Sequence, residues 1–462
     1  MTLRRTCRLT CAVALLAAGA LITATAVVPQ RARAQDNSSG QAAAQAGAAA
    51  EAAGAGGWCA RIPPGYGHPP ANLTPLSLQV LQPSVEPVPA TDGLIHLAYA
   101  AQATNTQAAP ADIASVVPVD ALAGFAPTGR NLITDEQGRS VAGKVKLFVT
   151  PPPDTVPDND GPGIEPGPGF STRVPAGNAG LMFFDVTYTD PAQIPRLLAH
   201  AITLASPDGD GGPGTPALTD PVPVGCKQLA VLHPPLVGQG WLAAGGCCIY
   251  AAYHRIAVPP INGLLQAGEE FAIDYTQLGP DNTCCHGPPR SLSSWWGYGT
   301  PVLAAGPGVV VEAVDGLPDQ QPVGTISPGL PIADYGGNRI IEDIGGGRYI
   351  LYAHFEPGTI PAWVRQGARL SAGDLIGRVG NSGNSTSPHM HFQLMDAPSP
   401  FDATGLPFVF DTQLLEGTVS ETEEADFPGG APVTVDRTGT GTRLNQMPAR
   451  NDVFGYNLSP SQ

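Results

Sequence analysis

Asn384-Ser-Thr-Ser-Pro-His-Met-His-Phe-Gln-Leu394 closes a stretch punctuated by Gly367, Gly373, Gly377, Gly380 and Gly383. From His389 onward it is an apolar, strand-like run. Successive strand side chains alternate between faces, so His389 and His391, two apart, present both imidazoles on one face. Taken alone, a His-x-His pair suits packing as readily as metal binding, and its surroundings must decide. Upstream, Tyr298-Gly-Thr-Pro-Val-Leu-Ala-Ala-Gly-Pro-Gly-Val-Val-Val311 reads as strand, tight turn, strand. Asn338-Arg-Ile-Ile-Glu-Asp-Ile344, three glycines and Arg348-Tyr-Ile-Leu-Tyr-Ala-His-Phe355 read as a second hairpin, which ends near His354.

The wider composition agrees with a chain built of strands. Among 462 residues there are 57 Gly and 50 Pro, just short of the share at which an aperiodic chain is better read as low-complexity. Gly and Pro cost roughly 1 and 3 kcal/mol in a helix interior, whereas strands joined by Gly/Pro turns tolerate them. The chain is therefore expected to be mainly β. It has no Gly-X-Y period, which excludes collagen, and no second long apolar run, which excludes a multi-span membrane protein.

Residues 1–34 read as a secretory signal: Arg4, Arg5 and Arg8, an apolar run from Cys11 to Val28, and Ala32-Arg33-Ala34 before Gln35. This places the mature chain in the periplasm or outside the cell, free of the membrane after cleavage. Removing five Arg and no acid leaves 18 basic and 39 acidic residues, net −21. That argues against nucleic acid or an anionic membrane surface as a partner, since both need a basic footprint. Residues 35–57 form an Ala/Gly/Gln tract with almost no large apolar residue, a flexible linker.

Residues 58–240 alternate apolar stretches with turn clusters and are read, from composition, as a β-sandwich-like accessory domain. Lys144–Thr150, Gly180–Tyr188 and Leu197–Ala205 supply strands, with His200 a packed core histidine. Asp158-Asn-Asp-Gly161 and Asp208-Gly-Asp-Gly211 lack the spaced oxygen series of a calcium loop and read as surface turns. The mature chain keeps Cys59, Cys226, Cys247, Cys248, Cys284 and Cys285. An even count in an exported chain reads as three disulfides among 15 connectivities, with the two vicinal pairs expected to bond to each other.

In the C-terminal half, Gly299-Thr-Pro-Val-Leu-Ala, Gly308-Val-Val, Gly337-Asn, Tyr352-Ala-His354, Gly380-Asn-Ser-Gly-Asn-Ser-Thr386 and Pro388-His-Met-His-Phe392 occur in order at compatible distances. In this the chain resembles the lysostaphin-type (LytM-like) zinc endopeptidases over residues 250–410. The resemblance implies a Gly-rich antiparallel β-sheet core with a groove, zinc as cofactor, and hydrolysis of peptide bonds in peptidoglycan. Matched position by position, it implies Asp274 and His391 as zinc ligands, with His354 and His389 acting on the water and the oxyanion. Three protein ligands would leave a fourth position for water, whose pKa zinc lowers from about 15.7 to about 7.

One position departs from the family's H-x-x-x-D motif: four residues before Asp274 stands Glu270. A carboxylate is a legitimate zinc ligand, so the expected set is Glu270, Asp274 and His391. That site would be formally neutral, and its zinc a weaker Lewis acid. His254 and His286 lie near in sequence but lack a strand register that would aim them at Asp274. The alternative is a catalytically degenerate module of the same fold that binds cell wall or activates another hydrolase. A third reading, a disulfide-stapled structural or adhesive protein, rests on composition alone. Trp295 and Trp296 suit either glycan stacking or packing, and Arg339 and Arg348 either substrate contact or solvation. Residues 417–462 are polar and turn-rich, and read as a tail. Oligomeric state is not legible.

Overall fold

The computed structural model describes residues 59–74, 76–132, 145–147, 172–205, 216–248, 252–420, 423–424 and 427–456. The signal, the linker and both Asp/Gly clusters lie outside them. The expected strand at 144–150 is described only over Val145–Leu147, as a strand. The architecture is mainly β, and no described helix is long and apolar enough to cross a membrane.

Two smaller sheets occupy the N-terminal half. One is built on Ile95–Thr104 and Ala179–Tyr188, the other on Ala111–Asp120 and Leu197–Leu204. Leu97, Tyr99, Met182 and Phe184 of the first share a core with Val116, Leu198 and Ile202 of the second. His200 is part of this interior, with its Nε2 2.6 Å from the Tyr99 hydroxyl. The opposite face of the first sheet is covered as well. Residues of the opposite phase, Ala100, Leu181 and Phe183, pack on Val258 and Ala267 from the second half of the chain. Near-continuous burial along Ile95–Thr104 follows from this, as expected of a strand covered on both sides. The region read as an accessory domain is thus joined through this buried face to the part that holds the histidines.

A larger sheet carries those histidines. Its central strands run in the order Phe408–Val419, Asp452–Tyr456, Gly238–Ala244, Ile273–Gln277, Met390–Met395, Tyr349–Phe355, Asn338–Asp343 and Gly308–Val314. Each is antiparallel to the next. Two boundaries are corrected here. The sheet begins before residue 250, at Gly238–Ala244, and residues 417–462 are not merely a tail, because Asp452–Tyr456 lies between two interior strands. Val453, Phe454 and Tyr456 are all buried; five residues are simply too short a run to stand out in a polar segment.

The cysteines differ from expectation. Cys59 bonds to Cys226, with the Cα atoms 5.7 Å apart across 167 positions. In the chain-entropy picture a loop of that length contributes about 5 kcal/mol. Cys247 is joined to its neighbour Cys248, while Cys284 and Cys285 are buried free thiols. The vicinal pairs therefore do not cross-link each other, and His286 contacts the ring of Trp296 in a loop that no disulfide ties. Trp295 is buried, its indole N–H donating to the Pro289 carbonyl at 2.8 Å, so packing claims it. Arg339 pairs with Glu312, and Arg348 bonds the Gly345 carbonyl.

His96 is buried between Asp185, 2.8 Å from Nδ1, and Asp92, 3.2 Å from Nε2. Burial alone would depress its pKa, but the two carboxylates override this and raise it to about 10. A histidine protonated in the folded chain contributes stability that is complete below its unfolded pKa of about 6.5 and is lost as pH rises through about 10. Thermal melts across that window should show the wild type losing several degrees and His96→Gln, less stable at the start, losing less. Parallel pH slopes would show that the pair does not titrate in this way.

Candidate metal centre

Strand register accounts for the first two members of the site. Asp274 pairs directly with His391 across antiparallel strands, as does Ala353 from the other side. Directly opposed residues share a face, and His391 Nδ1 lies 2.9 Å from Asp274 Oδ1. His389 stands just before that strand, bridged to Gly380; its Nε2 is 3.3 Å from Asp274 Oδ1.

His354 follows Ala353, and unbroken alternation would turn it to the other face. Instead, Tyr352 through Phe355 oppose only Ile340 through Asn338, a bulge in the pairing. His354 itself has φ +68°. Bulges re-aim side chains in this way, and here the ring lies 4.7 Å from that of His389.

The structure does not bring Glu270 to this cluster. Its Oε1 accepts from Arg255 Nε at 2.7 Å with both side chains wholly buried, and its Oε2 from Gln82 at 3.4 Å. The expected ligand set is corrected accordingly: the donor beside Asp274 is His254, 1% exposed, with Nε2 3.3 Å from Asp274 Oδ1. His254 comes from the helical turn Tyr253–Ile256 and not from a strand. Tyr253, next to it, donates its hydroxyl to the other carboxylate oxygen, Asp274 Oδ2, at 3.1 Å. Gly245 makes room for that ring, since a Cβ there would meet Tyr253 at 2.3 Å.

A carbonyl can only accept, so hydrogen bonds settle which ring nitrogen carries the proton. His254 Nδ1 donates to Ala272 O at 3.0 Å and Gly245 O at 3.2 Å. His354 Nδ1 donates to Ser382 O at 2.7 Å, and His389 Nδ1 to Ser387 O at 2.7 Å. In each, Nε2 is left for the cluster. His391 is reversed: Nε2 is 2.6 Å from Gln393 Oε1, whose amide donates to Gly268 O at 3.1 Å, and Nδ1 faces Asp274. Gln393 continues the alternation of His389 and His391, so its place on this face is readable in retrospect.

The residues fit a divalent metal such as zinc. One donor atom each from His254, Asp274 and His391 lie within 4.8 Å of one another. Zinc at 2.0–2.1 Å from tetrahedral ligands sets those atoms roughly 3.3 Å apart. The His254 Nε2 atom is buried and has no hydrogen-bond partner. Oriented imidazoles with the second nitrogen tied to carbonyl or amide oxygen are the usual outer support of such ligands.

The electrostatics point the same way. Burial raises the Asp274 carboxyl, but His389 and His254 outweigh it and hold the group well below the usual carboxylate range. Burial would lower His389 and His391, yet Asp274 raises both, while burial and the neighbouring imidazoles hold His354 well down. Without a metal, the buried carboxylate draws protons onto its neighbours; a cation would take their place. His96, Asp185 and Cys248 also cluster, but both His96 nitrogens face carboxylates and the Cys248 sulfur is in a disulfide, so no donor set remains there.

The cluster opens on a cleft walled by Gln266, Glu269, Tyr335, Leu351, Pro400 and Phe401, with Asp274, His354, His389 and His391 among its lining residues.

Comparison with known proteins shows what the segment around this cleft is similar to. Residues 296–403 match peptidase family M23, the metallopeptidase family to which the lysostaphin-type enzymes belong. The matched segment contains His354, His389 and His391; His254 and Asp274 precede it. Peptidoglycan DD-endopeptidase ShyA of Vibrio cholerae is 30% identical over 105 residues, which are 23% of this chain and 20% of that protein. The chain thus spans about a fifth of that relative's length. Among solved structures, the catalytic domain of the prophage-encoded M23 protein EnpA from Enterococcus faecalis is 21% identical over 37% of this chain and 92% of that one, with TM-score 0.21. The catalytic domain of lysostaphin from Staphylococcus simulans is 24% identical over 37% and 88%, with TM-score 0.19.

Proposed function

We propose that the chain is an exported zinc-dependent endopeptidase that hydrolyses peptide bonds in peptidoglycan. The observation that carries this reading is the cluster of His254 with the register partners Asp274 and His391, with two further histidines beside it in an open cleft. The M23 match over residues 296–403 supports the reaction class, and a relative named for peptidoglycan cleavage supports the substrate. The basic, apolar and Ala-x-Ala pattern of residues 1–34 supports export. The degenerate-module alternative was motivated by Glu270, and it loses that motive once His254 provides a third donor. Two imidazoles and one carboxylate leave a bound divalent ion with a net positive charge, where the set containing Glu270 would have cancelled it.

Bound at that set, zinc supplies Lewis acidity and lowers the pKa of water toward neutrality. The chain's own contribution lies in His354 and His389. Each has its proton locked on Nδ1, so Nε2 can take a proton from the attacking water and return it to the departing amine. While protonated, the same Nε2–H can donate to the oxygen of the tetrahedral intermediate. Gln266, Tyr335 and Phe401 offer polar and aromatic contacts to a peptide laid along the cleft.

The test is metal analysis of the purified mature protein together with digestion of cross-linked muropeptides. Near-stoichiometric zinc, absent from Asp274→Ala, is expected, with zinc affinity rising with pH because His391 must lose a proton. Cleavage should yield fragments whose summed mass exceeds the substrate by one water. Zinc-loaded protein that leaves every muropeptide intact would refute the enzymatic reading.

A further inference from the structure

Arg255 has no role in the chemistry above, yet it is the most heavily bonded charged group near the site. Its Nε donates to Glu270 at 2.7 Å, Nη1 to Cys248 O at 2.6 Å, and Nη2 to Phe184 O at 2.7 Å and Tyr99 O at 3.2 Å. Tyr99 and Phe184 are directly paired residues of the N-terminal sheet. Glu270 is tied to the same sheet by a second path, through Gln82, whose Oε1 accepts from the Ala100 amide at 3.1 Å. Ala100, Leu181 and Phe183 from that sheet pack on Val258 and Ala267, which lie between Arg255 and Glu270 in sequence. Arg255 is the residue after His254, and Glu270 lies four before Asp274. The buried ion pair therefore ties together the two segments that present these donors and fastens both to the N-terminal sheet.

We infer that Arg255 and Glu270 are positioning residues for the metal centre, and that the N-terminal sheet completes the site by holding the helical turn that carries His254. This rests on the assignment of His254 as a ligand in the proposed function. It gives Glu270 a purpose: the residue standing where a ligand histidine is expected became the anchor of the arm that brings a histidine from elsewhere. A planar guanidinium with four of its five N–H groups engaged fixes direction as well as charge. A displaced His254 would lose the alignment of Nε2 with Asp274, the kind of outer-support defect that costs roughly 10–100-fold in metal affinity.

The experiment measures zinc affinity of the full mature chain by chelator competition, with folding followed by circular dichroism. Glu270→Gln, which keeps the shape, and the double variant Arg255→Met with Glu270→Met, which leaves no unpaired charge, should each bind zinc about 10–100-fold more weakly while folded. Glu270→His should also weaken binding, because it breaks the anchor; tighter binding would overturn the inference. A double-mutant cycle isolates the route: in a His254→Ala background, Glu270→Gln should have little further effect. Equal losses in both backgrounds, or wild-type affinity in any folded anchor variant, would overturn it. If the double Met variant does not fold, Glu270→Gln and the cycle decide. Asp274→Ala separates the two failures: if it binds zinc as the wild type does, the metal-site assignment is wrong irrespective of Arg255.

Discussion

His254→Ala is expected to weaken zinc binding by about 10²–10³-fold and to abolish peptide cleavage at ordinary zinc concentrations. Structural zinc sites bind with roughly 10–16 kcal/mol spread over four ligands, about 3–4 kcal/mol for each, and each 1.4 kcal/mol is about tenfold. The imidazole has a side chain that is wholly inaccessible and an unpartnered Nε2 aimed at Asp274, so a ligand role gives that atom the partner it lacks. Chelator competition on folded protein checks the figure. His254→Ala with wild-type affinity would remove His254 from the ligand set and reopen the question of what stands beside Asp274. The contrast with Glu270 is informative: a ligand and a positioning residue differ by about a factor of ten in expected loss.

That contrast marks where the sequence was legible and where it was not. His389 and His391 share a face because they are two apart in a strand, and no tertiary knowledge is needed to see it. Asp274 becomes a candidate only through the resemblance to the lysostaphin-type enzymes, and the structure pairs it directly with His391. His354 ends an apolar strand in the sequence, but the bulge that turns its ring toward the cluster leaves no mark that periodicity detects. His254 lay furthest out of reach. Its approach depends on a four-residue helical turn, on the glycine that admits Tyr253, and on an arginine bonded to carbonyls about 70 and 156 positions away. Strand register cannot aim a residue that does not sit on a strand, and an unexpected Glu at a ligand position was the one available sign that a donor had to come from elsewhere. Among larger elements, the strands at 298–311 and the Gly-turn hairpin at 338–355 were readable. The five-residue strand near the C-terminus and the doubly covered N-terminal sheet were not, since both depend on partners distant in sequence.

His354→Ala and His389→Ala are expected to behave differently from the ligand variants: zinc is retained and cleavage falls by about 10²–10⁴-fold. Neither ring belongs to the His254, Asp274, His391 donor set, and each is oriented by a 2.7 Å bond to a backbone carbonyl that holds Nε2 on the cleft side. The loss should appear in kcat, because proton transfer and oxyanion stabilisation act in the transition state and leave ground-state peptide binding largely intact. The two substitutions should also be strongly non-additive, since the rings lie 4.7 Å apart and serve one proton-transfer sequence. A double variant only slightly slower than either single one is the expected result. Additive losses would assign the two histidines to separate steps, and loss of zinc from either single variant would shift the metal to the neighbouring donor group His354, His389 and His391, which shares His391 with the first.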